Sequence, residues 1–298
     1  MKEKADAAQV TVVTVTYKSG ATIQACIESV LRQAPVDIRM VIIENSQDES
    51  LHIWQAQYPG RVEVIVNREN AGFGRACNQG LRRAGGEFVY FLNPDCVLGI
   101  DVLARLLEYM HTHAQVGLCG SRLVDESGRE NARPEPRYPG QKFAPQAFAG
   151  LPGSIAWVLG ASLFARREIL ETVGGFDEDY ELYAEDIDLC LRIRQSGHAL
   201  GFCPEATVQH VGGHSAASLG VEQRWLRKQK GLNLFLRKHY PPETSAHIIR
   251  RDSWRARWRL ALLQVRMKCG LLDPHDDRIC KYKAVRDAAR LDRIQSSG

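Results

Sequence analysis

The stretch Phe88-Val-Tyr-Phe-Leu-Asn-Pro-Asp95 decides the fold. Phe88 to Leu92 is an unbroken apolar run of strand length, rich in aromatic and β-branched residues. Such a run reads as a strand buried on both faces. Pro94 cannot donate to a sheet ladder, so the strand ends there. Asp95 then stands just past the carboxyl end of a central strand, the edge at which open α/β sheets bind ligands. Two readings stay open on these residues alone: an Asn-Pro-Asp turn that only ends a strand, and a metal-holding aspartate at a nucleotide site.

Upstream, Val10–Thr16, Arg39–Glu44 and Val62–Val66 read as three further strands. Helical spacing over Ala21–Gln33, Asp48–Tyr58 and Asn70–Ala84 separates them. This β-α-β-α-β-α-β order with short connections predicts a parallel sheet with helices on both faces. Downstream, the pattern predicts a helix over Asp101–His113, a strand over Val116–Leu123 and a proline- and glycine-rich loop over Asn131–Gly153. An apolar segment, Trp157–Ala165, leads into a helix to about Val173. A second helix follows over Ala184–Ser196, with Gly197 as its C-cap. Leu200–Val211 contains a strand, Val221–Tyr240 is a basic helix ended by Pro241-Pro242, and 243–298 add further basic amphipathic helix. Phe143–Ala165 carries no charge, but Pro145, Gly150, Pro152 and Gly153 break it, which argues against a membrane-spanning helix.

The chain has 298 residues, 44% of them hydrophobic, enough for a sizeable core, and a mild net charge of +4. The charge is uneven: Asp177–Asp188 is acidic, while Arg224–Lys283 is basic. The basic segment reads either as a surface for anionic lipid or substrate, or as a solvated helix face. The eight cysteines form no CxxC pair, so no zinc module is indicated, and their placement in apolar runs suits a reducing cytosol. The first residues lack an apolar h-region, so no secretory signal is expected.

Polar clusters sit at the strand ends: Thr16-Tyr17, Glu44-Asn45-Ser46, Asn70-Ala-Gly72-Phe-Gly74-Arg75, and Asn93-Pro-Asp95. Parallel strands bring these to one edge, where a nucleotide can stack on Tyr17 and hydrogen-bond Glu44. Gly72 and Gly74 let backbone approach a ligand. This turn follows the third strand and lacks a third glycine, so it is not the dinucleotide fingerprint. Further on, Glu185-Asp186-x-Asp188-Leu-x-x-Arg192 places an acidic first turn on a helix, with Asp188 and Arg192 spaced to pair. His210 ends a strand and precedes two glycines, as a structural histidine or a loop-borne metal ligand does.

In order, Thr14-Val-Thr-Tyr17, Ile43-Glu-Asn-Ser46, Asn70-x-Gly72-Phe73, Leu92-Asn-Pro-Asp95, Gly175-Phe-Asp-Glu178, Glu185-Asp-x-Asp188-Leu-x-x-Arg192 and His210-x-x-Gly213-x-Ser215 resemble the family 2 inverting glycosyltransferases of GT-A fold. The likeness covers residues 9 to 240 and points to the bacterial rhamnosyltransferase-like branch, where Asn-Pro-Asp stands in the Asp-x-Asp position. It implies an α/β domain with a mixed, mostly parallel sheet flanked by helices over 1–240, with a donor half at 9–98 and an acceptor half at 99–240. A basic helical extension follows at 241–298. The resemblance assigns Thr16, Tyr17, Glu44 and Asn45 to the base and ribose of a nucleoside-diphosphate sugar. Gly72, Arg75 and Asn93 lie near that donor, with Arg75 at the diphosphate. By the same resemblance, Asp95 and His210 would hold Mn²⁺ or Mg²⁺, Asp186 would be the general base, and Glu185 beside it would bind the acceptor. The acceptor class the resemblance implies is a glycan or a lipid-linked sugar, with no nucleic-acid partner. The expected location is the cytoplasm, at the inner face of the membrane, and the segment Trp254-Arg-Ala-Arg-Trp258 is consistent with peripheral contact there.

Three departures from the family pattern stand out. Glu44 replaces the usual aspartate, Lys18 the usual asparagine, and Asn93 leaves Asp95 as the single carboxylate of its motif. Two other readings compete. A nucleotidyltransferase calls for a glycine-rich, lysine-containing phosphate loop after the first strand, which Thr16-Tyr-Lys-Ser-Gly20 fits poorly. A degenerate binding module calls for loss of the base or metal ligand, yet Asp95, Asp186 and His210 are all present.

Overall fold

In the computed structural model, which describes residues 9–20, 22–212, 220–273 and 276–295, Phe88–Leu92 is a strand, β4, with every residue buried. Its side chains alternate between two cores. Phe88, Tyr90 and Leu92 join one apolar cluster, while Val89 and Phe91 join the other. β1 (Val10–Thr16) divides the same way, Val10 and Val12 to the first cluster, Val13 and Val15 to the second. A strand buried on both faces needs no polar alternation, which is why these runs are continuous in sequence.

The first core is covered by α1 (Ile23–Leu31) and α4 (Val102–Thr112), and includes Leu51 of the turn leading into α2 (His52–Gln57). The second is covered by α3 (Phe73–Arg83), α5 (Arg167–Thr172) and α6 (Glu185–Gln195). α3 lies so close to the sheet that a Cβ at Gly80 would stand 2.3 Å from Val13 Cγ1.

The sheet order is β3 (Val62–Val66), β2 (Ile38–Glu44), β1, β4, β8 (Ser162–Arg166), β6 (Val116–Val124), β9 (Ala199–His210) and β5 (Cys96–Leu98), with β7 (Glu130–Ala132) on β6. β1 to β4 pair in parallel, as expected. β8 runs antiparallel to β4 and β6, whereas β6 and β9 are parallel. Parallel ladders hold most of the paired residues, so the sheet is mixed and mostly parallel. β5 and β7 were not foreseen; the sequence reads them as part of a turn and a loop. Each has three residues, too short for a periodic pattern to register.

These elements belong to one compact unit, Met1–Arg137, Gly150–Asp179 and Glu185–Ser215; a second unit comprises Tyr138–Ala149, Tyr180–Ala184 and Ala216–Gly298. Within the second, α7 (Val221–His239), α8 (Pro242–Lys268) and α9 (Asp277–Gln295) pack together. Pro242 opens α8, where its missing N–H has no intrahelical partner to lose. The boundary read at residue 240 is the break between α7 and α8, inside this unit. Phe235 and Tyr240 pack on Tyr138 and Phe148, and the Tyr240 hydroxyl donates to Pro139 O at 2.7 Å. Among the described residues no helix is long and apolar enough to cross a membrane.

Candidate active site

Parallel register sets Thr16 of β1 beside Glu44 of β2. Thr16 Oγ1 donates to one Glu44 carboxylate oxygen, and the Ser46 N–H and hydroxyl donate to the other. Glu44, 1% exposed, therefore spends its carboxylate fastening two strand ends. Asn45 ties in the third: its Oδ1 accepts from Asn67 Nδ2 at 2.7 Å and Ala71 N at 3.4 Å, and its Nδ2 donates to Gly72 O at 3.4 Å. Gly72, at φ +82°, turns the chain into α3, a conformation that favours glycine. Tyr17 is half-buried beside this knot. Arg75 is held by Glu178 at 2.9 Å, and Asn78 donates to the same carboxylate at 3.0 Å. The Asn78 hydrogen bond, then the Arg75 guanidinium, keep the Glu178 carboxyl below its usual range.

β5 builds the next part. It pairs antiparallel with the end of β9, setting Cys96 opposite His210, and Val211 N donates to Asp95 O at 3.2 Å. β9 reaches this position through an irregularity: Ser121 pairs with Cys203 but Arg122 pairs with Thr207, so Pro204, Glu205 and Ala206 bulge out. The result places His210 Nε2 3.5 Å from Asp95 Oδ1, with the Asp95 side chain 2% exposed and that of His210 14% exposed. Two ligands at about 2.1 Å from one cation stand roughly 3 Å apart at a right angle, so the separation fits a shared ion. A buried carboxylate with an imidazole is a donor set for manganese or magnesium, the imidazole favouring manganese. Cys96 lies in the same cluster, its ligand atom within 4.8 Å of the others. Its thiol, however, donates to Ala161 O at 3.5 Å, and burial pushes its pKa well above normal, so it keeps its proton. Gly213 and Ser215 of the sequence motif lie outside the described residues.

Asp186 stands in the first turn of α6. Its Oδ2 accepts from Gly160 N at 2.8 Å and its Oδ1 from Ile187 N at 2.9 Å. A Cβ at Gly160 would come within 3.2 Å of Asp186 Oδ2, so a side chain there crowds the carboxylate. The next residue faces the Asp95 segment: Ala161 O accepts from Asn93 N at 3.0 Å as well as from Cys96. The dipeptide Gly160-Ala161 thus links Asp186 to Asn93–Cys96. Asp188 pairs with Arg192 at 2.7 Å, and Arg192 also donates to Val173 O at 2.7 Å, which makes this pair structural as its spacing implied.

Glu185 is buried, and its Oε2 has no hydrogen-bond partner among the described residues. Burial first, then the negative charge of Asp186, pushes its carboxyl up to about 8. Of two adjacent acids, Glu185 thus holds its proton near neutrality. Because the folded value is raised, the native state binds this proton more tightly than the unfolded chain. The stabilisation is complete below the unfolded value and falls as pH rises from about 4.5 to about 8. Glu185→Gln removes this contribution. Urea unfolding across that window should show a slope shallower than wild type by up to about 1.4 kcal/mol per pH unit.

Sequence reasoning named Asp186, Asp95 and His210 but missed Gly160, the β5 ladder and the clamp of Glu178 on Arg75. Gly160 did carry a signal: a glycine inside an apolar run marks close backbone approach.

A parallel nucleotide-type half joined to a mixed half that brings in a carboxylate pair defines a GT-A glycosyltransferase. Residues 11–174, more than half of the chain, match Glycosyl transferase family 2; the chain belongs to this family and is a glycosyltransferase. It is 26% identical over 242 residues to an N-acetylglucosaminyl-diphospho-decaprenol L-rhamnosyltransferase of Mycobacterium tuberculosis, covering 68% of this chain and 76% of that one. It is 28% identical over 152 residues to the rhamnosyltransferase WbbL of Escherichia coli, covering 46% of this chain and 57% of that one. In fold it resembles a mannosyltransferase of Pyrobaculum calidifontis in complex with GDP-Man and Mn²⁺, at a TM-score of 0.62 and 18% identity, covering 99% of this chain and 89% of the other.

Proposed function

We propose that the enzyme moves a hexosyl unit, rhamnose by likeness to its relatives, from a nucleoside-diphosphate sugar to a hydroxyl of a glycan or lipid-linked acceptor, with inversion at the anomeric carbon. The observation that carries this is Asp186, fixed by the Gly160 N–H and linked through Ala161 to the Asp95–His210 pair. The acceptor oxygen attacks C1 from the face opposite the diphosphate. The new C1–O bond forms as the C1–O(phosphate) bond breaks, the electron pair leaves with the diphosphate, and the acceptor proton passes to Asp186. Protonated Glu185 is suited to donate a hydrogen bond to the acceptor. On the donor side, Tyr17 stacks on the base over the floor formed by Thr16, Glu44 and Asn45. Gly72 lets backbone approach the donor, Arg75 meets the diphosphate, and Asn93 lies beside the sugar. Asp95 and His210 are the residues that would hold a divalent cation, Mn²⁺ in preference to Mg²⁺, whose charge offsets that of the leaving group. The cysteines, all free thiols, suit a cytoplasmic location.

A panel of nucleotide sugars with Mn²⁺, read by thermal shift, tests the donor class. A nucleoside-diphosphate rhamnose at a hundred times its Kd should add about 2.7 kcal/mol of stability. Equal shifts from every nucleotide sugar, or none from any, would contradict the reading.

A further inference from the structure

We propose that the outward face of α8 lies flat on an anionic lipid bilayer. Trp254, Trp258, Leu262 and Val265 are 62%, 58%, 50% and 59% exposed, although this helix buries Ala256, Leu260 and Leu263. At about 100° per residue, Trp254, Trp258 and Val265 fall within roughly 40° of arc, Leu262 adjoins them, and Ala256, Leu260 and Leu263 lie opposite. The helix therefore packs by one side while a second apolar stripe faces outward.

The charges follow the stripe. Arg250, Arg257 and Lys268 are exposed along one edge of it, and Arg255, Arg259 and Arg266 along the other. Asp252 is half-buried and lies toward the packed side. At the stripe's N-terminal end, His247, Arg250, Arg251 and Arg257 line a hollow of about 360 Å³, room for a headgroup phosphate. Cations on both margins of an apolar stripe match a surface that is anionic at headgroup level and apolar beneath. Tryptophan, with an apolar body and one N–H, suits that boundary. A second copy of this face would oppose cation to cation, and a nucleic acid would leave the apolar stripe uncovered.

The test is sedimentation of the full chain with vesicles of phosphatidylcholine alone, or mixed with phosphatidylglycerol. Binding should require phosphatidylglycerol and weaken as salt rises. Trp254→Ala/Trp258→Ala and Arg250→Glu/Arg257→Glu should each weaken it at least tenfold, neutralising one arginine being worth roughly fivefold, with unchanged melting because the side chains are exposed. Brominated lipid should quench wild-type tryptophan fluorescence, a readout independent of any variant. Equal binding to both vesicles, no binding to either, or variants that bind like wild type would overturn the proposal. So would a concentration-dependent dimer that Trp254→Ala/Trp258→Ala abolishes without vesicle binding.

Discussion

Asp186→Asn is expected to lower turnover about 10²–10⁴-fold at saturating donor and acceptor, with donor affinity unchanged. The amide keeps the size of the carboxylate but cannot accept the acceptor proton. It also satisfies only one of the two N–H groups that Asp186 holds, those of Gly160 and Ile187. Leaving the other unpaired costs about 1–3 kcal/mol of stability, so rates are compared per folded molecule. Initial rates with product quantified by chromatography, beside donor binding by calorimetry, separate the two effects. A variant that turns over at the wild-type rate, or that loses donor affinity in proportion to turnover, would remove Asp186 from the proton-transfer role.

Asp95→Ala should erase the Mn²⁺-dependent part of donor binding. In the wild type, donor with Mn²⁺ at a hundredfold excess over Kd should add about 2.7 kcal/mol, more than the same donor without Mn²⁺; in the variant, adding Mn²⁺ to the donor should change the melt no further. His210→Ala should weaken the same response by at least tenfold while leaving some of it, because the carboxylate and donor phosphates still offer oxygen ligands. Each variant is judged against its own ligand-free melt. If Asp95→Ala binds donor with undiminished Mn²⁺ dependence, the cation sits elsewhere.

These residues were not equally legible. The strands β1 to β4 could be read because their signal is local: continuous apolar runs ended by polar or proline punctuation. Parallel pairing then put Thr16, Glu44 and Asn45 at one edge, as expected from strand order. What those side chains do there was not legible. Glu44 uses both carboxylate oxygens within the protein, a fact that depends on where Thr16 and Ser46 project. The closeness of Asp95 and His210 follows from the family resemblance alone and not from any pattern in the residues: it rests on a three-residue strand and a bulge at Pro204–Ala206, neither with a periodic signature. Likewise Trp254 and Trp258 were visible as residues, but their exposure is decided by which side of α8 packs within its helical unit.

In the proposed mechanism the β5–β9 ladder makes Asp95 and His210 a single cation seat. Pulsed electron paramagnetic resonance of Mn²⁺ with donor bound, in protein labelled with ¹⁵N-histidine, tests it directly. One histidine nitrogen coupling is expected, and it should vanish in His210→Ala. A Mn²⁺–donor complex of the wild type with no nitrogen coupling would contradict the claim.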